Sequence, residues 1–150
     1  MKGYMFSTLV RSLPILRAHF LGVFSIDTLP RRFPVHKFAL VNTARLKSSG
    51  KHWLIFYRPS GALWEIFDSL ANNESLVKEA LEDNNFVANR RRVQCQDSSL
   101  CGEFCLYFIL HRVVNLSETF ENVIDSLFEA HISCEANEAA VAEFITWLEL

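Results

Sequence analysis

The sequence predicts an α+β fold: a small, mostly antiparallel sheet flanked by helices, with one helix buried at the centre. Three observations predict it. Two runs rich in aromatic and branched residues, His52–Arg58 and Ala62–Ser69, flank the turn signal Pro59-Ser60-Gly61, which reads as an antiparallel hairpin. The segment Cys101–Val114 places apolar residues on nearly every face of a helix, the pattern of a helix covered all round. Half of the 150 residues are apolar and thirteen are Phe, enough to fill one substantial core at this length. One domain over residues 1–150 is expected.

Each element has its own reason. Phe38–Asn42 is a short apolar strand. In His52–Arg58 the period of two puts His52, Leu54 and Phe56 on one face and Trp53, Ile55 and Tyr57 on the other, so a central strand covered on both sides is expected. Asn73-Glu74 supplies a cap and a first-turn acid for a helix over Ser75–Glu82,. Arg90–Gln94 reads as a further strand, with Arg90-Arg91-Arg92 as its solvated edge or as an anion or nucleic-acid contact,. The buried helix follows, with Ser98 or Ser99 as its N-cap. Another helix opens at Ser117, and the last carries Val141, Phe144, Ile145 and Leu148 at helical spacing,.

Charge and cysteine usage exclude several function classes. The net charge is −2 with both signs mixed along the chain, which gives no general drive toward nucleic acid or membranes. The apolar stretch Met1–Ile26 is interrupted by Arg11, Pro14, Arg17 and His19, short of the ~18 uninterrupted apolar residues that a spanning helix needs. A soluble, intracellular, monomeric protein is expected, with no membrane partner. Of the four cysteines, Cys95, Cys101 and Cys105 are bunched and Cys134 stands apart. Reduced thiols are expected in so core-rich a chain, with Cys105 and Cys134 as core residues.

Three residues carry chemistry. Cys101 sits at the start of the buried helix, where unpaired N–H groups and the helix dipole favour a thiolate. Gly102 beside it would admit another chain or a substrate close to the sulfur. His52 lies at a strand end, with Trp53 packing beside its ring. Asp68 ends the following strand, and His52 and Asp68 are placed symmetrically about Ser60. An antiparallel hairpin therefore brings them together, and a carboxylate beside an imidazole fixes its tautomer and stabilises its charged form. An oxyanion donor is also needed, and Gln94 and Gln96 both lie just upstream of Cys101,. Their side-chain chemistry does not distinguish them. A zinc site of Cys95, Cys101, Cys105 and His111 is the non-enzymatic alternative, but the spacing lacks a knuckle pattern. An inactive binding module is another.

These segments, in this order, resemble the adenovirus protease (adenain) family of cysteine endopeptidases, including relatives carried by Maverick/Polinton elements. More distantly they are similar to the SUMO-deconjugating proteases. The resemblance runs from about Phe20 to Leu110: Phe20-Leu21-Gly22-Val23, Val41-Asn42-Thr43-Ala44, His52-Trp53, Phe67-Asp68-Ser69, and Val93-Gln94 followed by Cys101-Gly102-Glu103-Phe104-Cys105. It implies Cys101 as nucleophile, His52 as general base, Asp68 as orienting acid and, by its spacing from Cys101, Gln94 as oxyanion donor. Asp68 stands where adenain has Glu, as is usual on the SUMO-protease side. Leu100 replaces the Asp that commonly precedes the nucleophile on that side. The resemblance implies a polypeptide substrate, cleavage of viral or mobile-element precursors at small, Gly-containing sites, or alternatively removal of ubiquitin-like modifiers. It also implies stimulation by a disulfide-tethered peptide and by DNA. The tether position holds Asp83 rather than cysteine, and the acidic balance offers DNA little. No cofactor or metal is expected.

Overall fold

A computed structural model describes residues 1–44 and 52–149. Five strands form one sheet in chain order: β1 (Phe20–Ser25), β2 (Phe38–Asn42), β3 (Trp53–Tyr57), β4 (Trp64–Phe67) and β5 (Phe86–Ala88). The three central strands pair antiparallel, while β1 and β5 run parallel to their neighbours at the two edges. The α+β class is therefore met, with an antiparallel centre and parallel margins.

Strand alternation divides the core into two layers. Phe38, Leu40, Ile55, Tyr57 and Phe67 face one side, and Ala39, Val41, Leu54, Phe56 and Ile66 face the other, as a period of two requires. The first side is covered by α1 (Gly3–Ser12), α2 (Pro14–Arg17), α4 (Cys101–Val114), α5 (Phe120–Leu127) and α6 (Cys134–Leu148). The second is covered by α3 (Glu74–Leu81), through Val77 and Leu81, and by the connection carrying Ile26 and Phe33.

The buried helix α4 has the bounds expected of it. It buries Phe104, Cys105, Leu106, Phe108, Ile109, Arg112 and Val113. Its single buried charge, Arg112, is matched by Glu65 of β4: Nε and Nη2 donate to the two carboxylate oxygens at 2.7 and 3.0 Å. Two planar groups joined by two parallel bonds satisfy each other away from water. Neither Ser98 nor Ser99 is the N-cap; that position is Leu100, whose N–H donates to Ser98 Oγ.

Four sequence expectations need correction or refinement. Helices α1 and α2 occupy an N-terminal stretch for which no helix was expected. The strand expected at Arg90–Gln94 lies earlier, at Phe86–Ala88, because the chain beyond Ala88 turns to bond with the backbone of Asp68 and Ser69 instead of continuing the ladder. Within the arginine run, Arg90 and Arg92 are exposed and Arg91 donates to the Phe128 carbonyl. The helix expected from Ser117 starts at Phe120, after Thr119 takes the capping role by accepting from Asn122 N,. The fourth concerns redox state: Cys95 and Cys134 are not reduced thiols but form a disulfide, with Cα atoms 5.1 Å apart across 39 residues of chain. The connection after Arg92 packs on the first turn of α6, and this brings the bunched Cys95 to the isolated Cys134. Cys101 and Cys105 are free.

Candidate active site

β3 and β4 carry the first two groups. Their register centres on Gly61, one residue beyond the expected Ser60, since Tyr57 pairs with Glu65 and Ile55 with Phe67. His52 and Asp68 therefore meet diagonally, beyond the last paired residues, within the reach of cross-strand neighbours. His52 Nε2 and Asp68 Oδ1 are 2.7 Å apart, and both residues are buried.

Asp68 is held by more than its histidine. Leu70 N donates to Oδ1, and Asn72 N, Asn73 N and Asn73 Nδ2 donate to Oδ2, all at 3.0–3.1 Å. Its backbone is fixed as firmly. Asn89 Oδ1 accepts from Asp68 N at 2.8 Å, and Asn89 Nδ2 donates to Asp68 O at 2.6 Å. The parallel ladder of β4 and β5 ends at Ile66 and Ala88, and the Asn89 amide continues it as a peptide group would. Burial raises the Asp68 carboxyl, but the bonds from His52 and Asn73, the charge of His52 and the Leu70 N–H together hold it below the ordinary carboxylate range,.

Cys101 opens α4 and meets the other side of the imidazole. Nε2 belongs to Asp68, which leaves Nδ1 for the sulfur, and a side-chain hydrogen bond joins His52 to Cys101. Trp53 adds a second contact. The pairing of β3 with β4 begins only at Ile55, so two sulfurs of α4 take up the Trp53 backbone: its N–H bonds to Cys101, and its carbonyl accepts the Cys105 thiol at 3.4 Å. Burial raises the Cys101 thiol, yet the His52 bond, the Trp53 N–H and the His52 charge bring it below its ordinary value. For His52, burial disfavours the charged ring, but the hydrogen bonds with Asp68 and Cys101 and their charges push it up to about 9. A lowered thiol facing a raised imidazole favours the charged forms of both groups,. Cys105 is the contrast: full burial pushes its thiol well above the ordinary value and leaves it inert,.

Gln94 and Gln96, indistinguishable by side-chain type, separate by environment. Gln96 is exposed, with Oε1 accepting from Arg92 at 3.3 Å. Gln94 is 1% exposed; its Oε1 accepts from Ser69 Oγ and its Nε2 donates to the Ser98 carbonyl at 2.8 Å. The first turn of α6 secures this connection. Asn137 Nδ2 donates to Val93 O at 3.1 Å, Glu138 Oε2 accepts from Cys95 N at 2.8 Å, and Cys134 holds Cys95 covalently.

At Gly102 it is this chain's own Met1 that comes close, not another chain or a substrate: a Cβ on Gly102 would lie 2.9 Å from the Met1 Cβ and 3.2 Å from its carbonyl oxygen. Trp53 packs on the helix-covered layer of the core. The four zinc candidates, Cys95, Cys101, Cys105 and His111, do not come within ligating distance of one another. The Cys95 sulfur is bonded to Cys134, the Cys105 thiol to Trp53 O, and His111 Nδ1 to the Tyr107 carbonyl at 2.7 Å. Among the described residues, the one His/Cys/acid cluster within ligating distance is Cys95, Cys134 and Glu135, whose sulfurs are joined to each other. No helix among those residues is long and apolar enough to cross a membrane. Asn73, Asn89, Ser69, Asn137 and Glu138 were not anticipated as site residues. Asn73 was visible only as a helix cap and Ser69 only as the neighbour of Asp68.

No protein-family model matches the chain. Among known proteins it is similar to the protease of Bovine adenovirus 2, at 31% identity over 71% of this chain and 60% of that protein. The chain thus spans less than two thirds of that relative's length. Among solved structures it is similar to the ASFV pS273R protease, with a TM-score of 0.41 and 20% identity over 67% of this chain and 40% of that one. A second is ChlaDub1 from Chlamydia trachomatis, with a TM-score of 0.49 and 15% identity over 97% and 76%. By sequence, then, this chain is similar to an adenovirus protease over 71% of its own length.

Proposed function

We propose that the chain is an adenain-type cysteine endopeptidase. The observation that carries this reading is the hydrogen-bonded line from Cys101 through His52 to Asp68, with the thiol lowered and the imidazole raised to about 9. His52 takes the thiol proton on Nδ1 while Asp68 holds Nε2. The thiolate then attacks the scissile carbonyl. The developing oxyanion is met by the Gln94 amide and by the Cys101 backbone N–H, one of the unpaired donors at the start of α4,. His52 returns its proton to the leaving amine, and water drawn by the neutral ring hydrolyses the thioester.

The substrate is proposed to be a precursor polypeptide cut at small, Gly-containing sites, in keeping with the sequence similarity to a viral protease. The purified chain should cleave fluorogenic peptides with glycine on both sides of the scissile bond. Against a panel of folded ubiquitin-like modifiers carrying C-terminal extensions, it should be much the slower. Cleavage of the folded modifiers alone would replace the endopeptidase reading by a deconjugase using the same four residues.

A further inference from the structure

We propose that Ser69 is a positioning residue of the oxyanion side, fixing which way round the Gln94 amide is held; this rests on the reading of Gln94 given above. Ser69 is fully buried, and nothing about it concerns the thiol or the imidazole directly. Its hydroxyl donates to Gln94 Oε1 at 2.5 Å, and its carbonyl accepts the N–H groups of both Val93 and Gln94, at 2.9 and 3.1 Å. One residue thus grips the backbone and the side chain of the glutamine together.

The chemistry of the partners decides the orientation. A carbonyl can only accept, so the Ser98 oxygen requires the Gln94 NH₂ on its side, where Nε2 donates at 2.8 Å,. The amide oxygen must then face Ser69, buried from water. A hydroxyl there supplies the proton that Oε1 needs, and an apolar side chain would not. With both ends matched, one N–H of the amide is used by Ser98. The second has no acceptor among the described residues and remains the donor for an oxyanion. Because Ser69 directly follows Asp68, one dipeptide fixes both the acid that orients the base and the amide that receives the negative charge.

The test separates acyl transfer, which needs an oxyanion donor, from thiol alkylation, which does not. An N-acylglycine p-nitrophenyl ester measures the first, and iodoacetamide, with Cys101 followed by peptide mass, measures the second. Ser69→Ala is expected to lower kcat for the ester about tenfold, a fraction of the ~10²–10³ lost when an oxyanion donor is deleted outright. KM and the alkylation rate of Cys101 should stay near wild type. In a Gln94→Ala background, Ser69→Ala should cause no further loss, since it acts through the missing amide. If Ser69→Ala does not fold, Ser69→Cys, which keeps the volume and offers a weaker donor, carries the same comparison. Unchanged ester turnover, an equal further loss without Gln94, or a parallel fall in alkylation would each overturn the assignment. A wild-type chain that alkylates quickly at Cys101 but acylates no ester would instead remove the peptidase reading, and the role of Ser69 with it.

Discussion

His52 and Asp68 share a hydrogen bond of 2.7 Å inside the protein, and Asp68 accepts four further bonds that keep its carboxylate from turning away. The carboxylate is thus a fixed charge against a ring that rotates only at the expense of that bond. Asp68→Asn keeps the size and removes the charge. It is expected to lower kcat/KM by about 10⁴-fold, the scale seen when the orienting acid of a triad is changed to its amide. Circular dichroism should show the fold intact.

The pH profile follows from the same pair. His52 is raised to about 9 and Cys101 is lowered, so the thiolate–imidazolium form fills the window between the two. Activity should rise on an acid limb below the ordinary thiol range, as Cys101 ionises, and fall on an alkaline limb near pH 9, as the imidazolium loses its proton. Asp68 contributes to raising His52. In Asp68→Asn, therefore, the alkaline limb should move down toward the ordinary histidine value of about 6.5. A limb that stays in place would separate it from His52.

Asn89 tests how the acid is supported. It bonds to the N–H and carbonyl of Asp68 and to the carbonyl of Arg91, and it is buried. Asn89→Ala leaves the buried Asp68 N–H without a partner, while the Asp68 carbonyl keeps the N–H of Ala71, at ~1–3 kcal/mol for the orphaned group. Urea unfolding should therefore show a loss of about 1–3 kcal/mol, with most of any activity loss appearing in kcat.

The disulfide should matter in proportion to the loop it closes. Joining residues 39 apart restricts the unfolded chain by up to about 4 kcal/mol in the chain-entropy view. Cys134→Ser is expected to lower the melting temperature by several degrees. Dithiothreitol should bring wild type down to the same value and leave the variant unmoved.

The buried Arg112–Glu65 pair gives a contrasting case. Arg112→Met leaves Glu65 buried with its partner gone, and a loss of about 3–5 kcal/mol is expected. Adding Glu65→Leu should restore much of it, because replacing both charges with apolar groups removes the unpaired one. Equilibrium denaturation of the single and double variants measures the difference.

What the sequence discloses, and what it hides, divides along physical lines. The hairpin and α4 are local: a turn tripeptide between two apolar runs, and a helix apolar on nearly every face, reveal themselves in short windows. The meeting of His52 with Asp68 follows from them, displaced by one residue because the turn centres on Gly61. Helices α1 and α2 were obscured by Arg11, Pro14 and Arg17, although Pro14 in fact opens α2, as proline does in a first turn. The support of the site is non-local. Asn89 finds the Asp68 backbone 21 residues away, Ser69 finds Gln94 across 25, and Asn137 finds Val93 across 44. Cys134 finds Cys95 by the same packing. No periodicity or spacing encodes such contacts; they follow from where the helices come to rest.

The measurement closest to the central claim combines turnover with mapping of the modified residue. Wild type and Cys101→Ala would each be treated with an electrophilic glycine-containing peptide, assayed for peptide cleavage, and digested to locate the label by mass. The expected result is cleavage and a single label on Cys101 in wild type, with neither in Cys101→Ala. Label on Cys105 or Cys95, or cleavage that persists in the variant, would contradict the account.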